Sequence, residues 1–317
     1  MEEKLGNNTN SHNPKISVGI PVYNGEKFIR KSIESVLRQT YGNFELIISD
    51  NASTDSTSDI CTEFLTKDSR IKFVRQDKNM GPIWNFNFLL QKAVGEYFVW
   101  VAADTIILPE FLEKNINLLE SQDKAVGCIS KIKIDHTYVD KFKTEKEVLK
   151  KIGLVYRPNN SYSGEGTLPI TGNYVERIRK YLKYFPWEMM QAVYRTKPLR
   201  ESSIHDFFLG WDASLVLNVL KHGEIKVVNQ FLLESFPSYG STEGLMQVKQ
   251  KSHGKYSKTT KSNTARIFPF YPLTKWCVKN LGWTIFFRNI DHFLRLSLDG
   301  LIIQLASIYQ NMKISKS

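Results

Sequence analysis

Between residues 16 and 129 the chain alternates between two hydrophobic patterns. ISVGI (16–20), FELIIS (44–49), IKFVR (71–75), YFVWV (97–101) and AVGCI (125–129) are short runs rich in β-branched and aromatic residues, as expected of strands buried on both faces. Between them apolar residues recur with helical period: Phe28, Ile29, Ile33, Val36 and Leu37, then Ile60, Cys61, Phe64 and Leu65. A third set, Phe111, Leu112, Asn115, Ile116 and Leu119, follows Pro109, which suits the start of a helix. Strands and helices in alternation predict an α/β fold with a mostly parallel sheet flanked by helices, and ligands of such sheets bind at the carboxyl ends of the strands.

Over 131–186 the pattern loosens, with the loop-like RPNNSYSGEG at 157–166. MQAVYR (190–195) and IKVV (225–228) read as strands, and 213–221 as an amphipathic helix. Beyond Ser241 a basic, serine-rich linker carries Lys249, Lys251, Lys255, Lys258, Lys261 and Arg266, and an aromatic amphipathic tail runs over 268–309. There is no internal repeat. The expected organisation is a disordered polar tail at 1–14, one domain at 15–240 with halves at 15–130 and 131–240, and a linker with a helical C-terminal extension at 241–317.

Composition narrows this only slightly. The 317 residues are 42% hydrophobic, ordinary for a globular chain, and 43 Lys and Arg against 32 Asp and Glu leave a net charge of +11 that favours anionic partners. Without a recognised module that charge does not argue for nucleic acid. Three dispersed cysteines, Cys61, Cys128 and Cys277, point to a reducing compartment rather than a disulfide framework. The polar start has no apolar core of a signal peptide, and no apolar run approaches the roughly 18 residues of a membrane span. The expectation is a cytoplasmic protein.

Two strand ends carry candidate chemistry: Pro21-Val22-Tyr23-Asn24-Gly25 and Ser49-Asp50-Asn51-Ala52-Ser53-Thr54-Asp55. An Asp there can accept a bond from a base imide or a ribose hydroxyl, and a Tyr can stack on a base. Each residue alone fits a plainer role, as an Asx-turn or helix cap. The same choice surrounds Asp104 in VWVAADTIILP (99–109): a metal ligand at a strand end, or a cap on the next helix.

In combination, ISVGIPVYNGEKFIRKSIESVLRQTYGNFELIISDNASTDST followed by NMGPIWNFNFLLQKAVGEYFVWVAADTIILPEFLE resembles the N-terminal half of the family-2 glycosyltransferases, which have the GT-A fold. The resemblance is close over 15–127 and fainter to about 240. It implies that Pro21, Tyr23, Asn24 and Asp50 hold the nucleotide, that Asn79 and Gly81 line the same pocket, and that Ala103 and Asp104 face the donor. Asp104 matches the second acid of the family's Asp-x-Asp motif, which binds the divalent cation, Mg²⁺ or Mn²⁺, bridging the donor's phosphates. The chain departs at Ala102, in place of the first acid, and at Thr105, which is often Asp. A cation there neutralises charge developing on the leaving diphosphate, and Mg²⁺ needs only one or two protein carboxylates beside phosphates and waters.

Transfer with inversion also needs a base for the acceptor hydroxyl. The resemblance implies Asp212, at the start of the 213–221 helix, with Asp206 as runner-up and Trp211 where relatives have Glu. The plainer role for Asp212 is an N-cap, and a helix N-terminus is expected to lower its pKa. Relatives carry Arg or His in the loop at 235–242; this chain does not, and Lys249, Lys251 or His253 either substitute or belong to a solvated linker. His222 reads as a helix end. The tail at 281–310 fits equally a membrane interface and packing on the domain or a second subunit.

The function implied is inverting, metal-assisted transfer from a UDP-, GDP- or dTDP-linked sugar to a glycan or lipid-linked acceptor, in the cytoplasm or peripherally at the inner membrane face. Two alternatives stay open: a degenerate, non-catalytic nucleotide-sugar binder, and a nucleotidyltransferase. The second is weakened by the lack of a glycine-rich basic phosphate loop.

Overall fold

The computed structural model describes residues 14–134, 167–206, 208, 210–235 and 270–298. Its first half bears out the alternation: β1 (Ile16–Val22), α1 (Ile29–Leu37), β2 (Phe44–Asp50), α2 (Thr57–Leu65), β3 (Ile71–Arg75), α3 (Pro82–Lys92) and β4 (Tyr97–Trp100). A three-residue β5 (Thr105–Ile107) then precedes α4 (Phe111–Glu120) and β6 (Ala125–Ile134). The second half adds α5 (Tyr174–Tyr184), a 3₁₀ turn (Trp187–Gln191), β7 (Val193–Arg195), α6 (Thr196–Glu201), α7 (Trp211–Val219) and β8 (Glu224–Ser235). Last come α8 (Tyr271–Leu281), α9 (Trp283–Arg288) and a further helical stretch at 290–298.

One sheet holds all eight described strands in the order β3-β2-β1-β4-β7-β6-β8-β5. β3, β2, β1 and β4 are mutually parallel, so their carboxyl ends share one edge. β7 runs antiparallel to β4 and β6, and β8 pairs parallel with β6 and antiparallel with β5. All seven residues of β2 are buried, and in β1 only Pro21 shows partial exposure. Pro21 lies beyond Gly19, the last β1 residue that β4 pairs with, so its missing N–H breaks no bond of that ladder. Helices cover both faces: the five α4 positions read from periodicity are the five that are buried.

A polar clamp fixes the start of the parallel sheet. The Ser17 hydroxyl donates to Glu45, a buried carboxylate that Lys72 pairs with at 2.7 Å. Ser17 in turn accepts the Gly95 N–H at 2.8 Å, and Glu45 accepts the Val94 N–H at 3.0 Å. β1, β2 and the entry to β4 are thereby locked at one end.

The sequence pattern misses several elements. MQAVYR is split: its first residues lie in the 3₁₀ turn and only Val193–Arg195 is strand. β8 runs on to Ser235, where residue 105 onward supplies β5 as its partner. α3 and α6 were not separable by period, and α5 lies inside the loose region. The signal for α5 was nonetheless present: Asn173 accepts the Glu176 N–H while Glu176 reaches back to the Asn173 N–H, a full capping box. The 1–13 tail, the 157–166 loop and the basic linker fall outside the described residues. Among the described residues no helix is long and apolar enough to cross a membrane, and all three cysteines are buried and free.

Gly95 is where backbone passes backbone. A Cβ added there would lie 2.6 Å from the Ser17 amide nitrogen and 2.7 Å from the Ile16 carbonyl carbon, whereas one at Gly42 would meet nothing within 4 Å. Gly95→Ala is expected to cost about 2 kcal/mol or more in denaturant unfolding, and Gly42→Ala under about 0.5 kcal/mol. Equal midpoints for the two variants would contradict this account of the clamp.

Candidate active site

β1 and β2 end side by side, with Val22 opposite Asp50, and the loops that follow bond to each other. The Asn24 N–H donates to Ser53 Oγ at 2.8 Å, and Asn24 Oδ1 accepts the Thr54 N–H at 2.8 Å. Asn24 adopts φ 53, in the left-handed region that Asn tolerates. Its side-chain carbonyl is neither a local Asx-turn nor a helix cap, and instead ties the β1 loop to the β2 loop. Tyr23, directly before it, is 42% exposed and presents its ring at the edge.

The two carboxylate oxygens of Asp50 differ in their surroundings. Its Oδ1 accepts the Ser53 N–H, three residues on, at 2.9 Å. Its Oδ2 has no hydrogen-bond partner among the described residues although the side chain is fully buried, and Arg75 Nε lies 3.7 Å from it. A buried carboxylate oxygen in that condition favours a ligand donor, because leaving it unsatisfied is costly.

Asn79 and Gly81 stand beside Asp50 through a residue to which sequence reasoning assigned no role, Asn51. Asn51 Nδ2 donates to Asn79 Oδ1 at 2.9 Å and to the Gly81 carbonyl at 3.2 Å, while its Oδ1 accepts the Met80 N–H at 2.9 Å. Asn79 Oδ1 also accepts the Gly81 N–H at 2.9 Å. Gly81, at φ 88, then opens α3 with Pro82 in its first turn. A buried Asn can satisfy three loop groups at once, but nothing in an isolated Asp-Asn dipeptide announces it.

Asp104 is not a helix cap. The N-cap position of α4 is Glu110, and Asp104 instead lies in a turn closed by the Thr105 N–H donating to the Ala102 carbonyl at 3.0 Å. This turn carries the chain from β4 into β5. It is held against α1 by Ser32, whose hydroxyl donates to the same carbonyl at 3.1 Å. The β1 loop abuts it as well: a Cβ on Gly25 would come within 3.6 Å of the Ala103 Cβ. Pro21, Tyr23, Asn24, Asp50, Asn79, Gly81, Ala103 and Asp104 are thus gathered along one edge.

Beside Asp104 is a cavity of about 80 Å³, lined by Lys27, Lys31, Ser32, Ala103 and Thr105 among others. Thr105 Oγ1 is buried there without a hydrogen-bond partner among the described residues. Sequence reading overlooked the two lysines because they precede and enter a helix that otherwise reads as plain cover. No group of three or more His, Cys, Asp or Glu able to hold a metal occurs among the described residues. Asp104 is the carboxylate lining this cavity, and a single carboxylate suits a cation that brings its own phosphate and water ligands better than a prebuilt cage.

Asp212 is placed from the other side. Its neighbour Trp211 meets Phe86 edge-on at 5.3 Å between ring centroids, and Trp100, at the end of β4, donates its indole N–H to the Phe86 carbonyl at 3.1 Å. Asn87 adds a bond from Nδ2 to the Ile204 carbonyl at 2.7 Å. Trp211, standing where relatives have an acid, ties α7 to α3 and β4. The N-cap of α7 is Gly210, at φ 91, so Asp212 lies inside the first turn and is not itself the cap. Burial pushes its carboxyl above the ordinary range, outweighing the opposing backbone amides of Ala213 and Asp212. The expected lowering by the helix terminus is reversed, because partial removal from water penalises the anion more than two amides favour it. The runner-up, Asp206, is exposed in the preceding loop.

A second acid unforeseen from sequence, Glu188, lies in the 3₁₀ turn packed on α7. It is fully buried; Thr167 Oγ1 donates to Oε1 at 3.0 Å, and Oε2 has no hydrogen-bond partner among the described residues.

The family profile described as glycosyl transferase family 2 matches residues 17–179, half of the chain. The chain belongs to glycosyltransferase family 2. It is 39% identical over 106 residues to an uncharacterised glycosyltransferase of Haemophilus influenzae, covering 33% of this chain and 42% of that protein. It is 33% identical over 111 residues to glycosyltransferase GlyG of Streptococcus pneumoniae, covering 35% and 37% respectively. The chain thus spans about two fifths of the length of the curated relatives it matches. Among solved structures it resembles S. aureus TarS 1–349 in complex with UDP-GlcNAc, with a TM-score of 0.53 and 21% identity over 72% of this chain and 60% of that one. It also resembles the mannosyltransferase PcManGT of Pyrobaculum calidifontis in complex with GDP-Man and Mn²⁺, with a TM-score of 0.54 and 14% identity over 95% and 88%. These likenesses show the GT-A type of fold.

Burial of Glu188 raises its pKa from 4.5 to about 7. The folded state therefore holds the proton more tightly than the unfolded chain, and stability falls as pH rises from about 4.5 through about 7. Glu188→Gln is expected to remove that slope, worth up to about 3 kcal/mol, in unfolding experiments across this window. An unchanged slope in the variant would show that Glu188 is not its source.

Proposed function

We propose that the protein transfers a glycosyl group, with inversion, from a nucleotide-diphospho-sugar to a hydroxyl of a glycan or lipid-linked acceptor. The observation that carries this reading is the buried Asp50 with an unsatisfied carboxylate oxygen, set between the exposed Tyr23 ring and the Asn51-held loop at Asn79–Gly81. An acceptor oxygen at that depth suits the imide N–H of a base or a ribose hydroxyl, and Tyr23 offers a face for stacking. The diphosphate then extends towards the Asp104 turn. The nucleotide sugars bound by TarS and PcManGT support this donor class.

In one displacement the acceptor oxygen attacks the anomeric carbon while the bond to the diphosphate breaks, and Asp212 takes the acceptor's proton. Its raised pKa suits the task, since a base that holds a proton more strongly than an ordinary carboxylate has more driving force to remove one. Lys27 and Lys31, beside Asp104, offset the negative charge of the departing nucleoside diphosphate. Asp104 would hold a Mg²⁺ or Mn²⁺ in company with the donor's phosphates, and when bound the cation adds to the same neutralisation. The reaction is assigned to the cytoplasm, with the 15–240 region as the catalytic domain.

The thin acid set around Asp104 also favours a second reading, a binder of nucleotide sugars without turnover. Thermal shifts with UDP-, GDP- and dTDP-sugars, with and without Mn²⁺, should single out one donor whose stabilisation depends on the cation. Asp104→Asn is expected to abolish the cation dependence and lower turnover by about a hundredfold or more. Asp212→Asn should leave donor binding intact while transfer falls about a hundredfold or more. The acid limb of the wild-type pH profile should lie above the ordinary carboxylate range. Full activity in both variants would overturn the assignment, and tight binding with no turnover in the wild type would establish the second reading.

A further inference from the structure

The C-terminal helical segment has two apolar faces. Ile285, Phe293 and Leu296 are buried, and Phe286 stacks on Phe293 at 5.3 Å between ring centroids. The opposite side carries Trp283, Phe287, Ile290, Leu294 and Leu298, at 61%, 60%, 40%, 60% and 57% exposure. Trp283 and Phe287 lie one turn apart on α9, and Ile290, Leu294 and Leu298 follow at four-residue spacing along the 290–298 stretch, so each segment presents one apolar side outward. Trp283 and Phe287 stack at 5.6 Å, so the outward side of α9 is a joined aromatic pair. Large apolar groups concentrated on one exposed face mark an interaction surface rather than chance exposure.

This face is held rigidly. Arg179 of α5 donates to the Arg288 carbonyl at 2.8 Å and pairs with Asp291 at 3.0 Å. Arg295 donates to the carbonyls of Leu182 and Lys183, each at 2.8 Å. Asp291, the one carboxylate of this segment among the described residues, is thus balanced by Arg179. Arg288 is exposed at the end of α9, Lys183 lies against Arg295 through its carbonyl, and Lys275 and Lys279 are exposed on α8.

We propose that this face is a docking surface for an anionic lipid bilayer. Trp, Phe, Ile and Leu along one side with cations beside them is the pattern that lies in the interfacial plane of a membrane. A second copy of the chain fits less well. Pressing two such faces together would join two copies of a chain that carries a net charge of +11, with Arg288 and Lys183 exposed around the segment. An anionic surface turns the same charges into attraction. Docking here would bring the catalytic domain to lipid-linked acceptors, and for that role the proposal rests on the acceptor reading above.

The test is flotation of the full chain with vesicles of phosphatidylcholine alone and of phosphatidylcholine mixed with phosphatidylglycerol. Binding is expected to the anionic vesicles and to weaken as salt rises. Trp283→Ser and Leu294→Ser should each weaken it about tenfold, with an unchanged unfolding temperature. Arg288→Glu should weaken binding to the anionic vesicles alone. Absence of wild-type binding, or unaltered binding in the Trp283→Ser/Leu294→Ser double variant, would overturn the proposal. So would a lipid-free dimer that the same double variant splits, because a second copy would then occupy the face. Donor hydrolysis in solution should be equal in wild type and face variants. If hydrolysis is absent in the wild type while vesicle binding persists, the transfer reading fails and the docking surface stands.

Discussion

The candidate site depends on β1 being hydrogen-bonded to β2 on one side and β4 on the other, all three parallel. Parallel pairing aligns carboxyl ends, so loops far apart in sequence leave the sheet at one edge. The Ser17–Glu45–Gly95 clamp sets this register from the opposite end. It places a buried carboxylate where Lys72 and the backbone amides of the β4 entry can satisfy it. Any slip of β4 against β1 would break those bonds before it reached Asp104.

From that edge outward, short polar side chains replace regular structure. Asn24 and Asn51 each satisfy backbone groups of a loop not their own, and the turns they support hold Tyr23 and Asn79 in place. Ser32 pins the Asp104 turn to α1. The atoms left over are telling. Among the described residues Asp50 Oδ2 and Thr105 Oγ1 are buried without a hydrogen-bond partner, and both lie on this edge. Ten other buried polar atoms also lack a hydrogen-bond partner among the described residues, so it is the shared position of these two at the strand ends that suits a polar ligand.

The position of Asp212 is governed by aromatic packing. Trp100, Phe86 and Trp211 form a continuous contact from β4 through α3 to α7, and Asp212 is carried on its far end. Trp211 is half-buried and packs against the core through Phe86. Burial at the same turn of helix raises the Asp212 pKa.

The sequence by itself determined the parallel half of the sheet, the covering helices α1, α2 and α4, and which acids stand at the strand ends. Hydrophobic period reports which faces are buried, and β1, β2, β4 and α4 are buried where the pattern put them. It could not assign α5 or β5, whose partners lie far along the chain, nor the roles of Asn51, Lys27, Lys31 and Glu188. Those roles come from contacts between residues separated by dozens of positions, which no local pattern encodes. The tail shows the division most plainly. Its amphipathic composition fitted packing and an interface equally, because periodicity marks apolar sides without saying what covers them. Only the tertiary structure decided that one side is core and the other is exposed, since burial depends on where α5 and the rest of the domain lie.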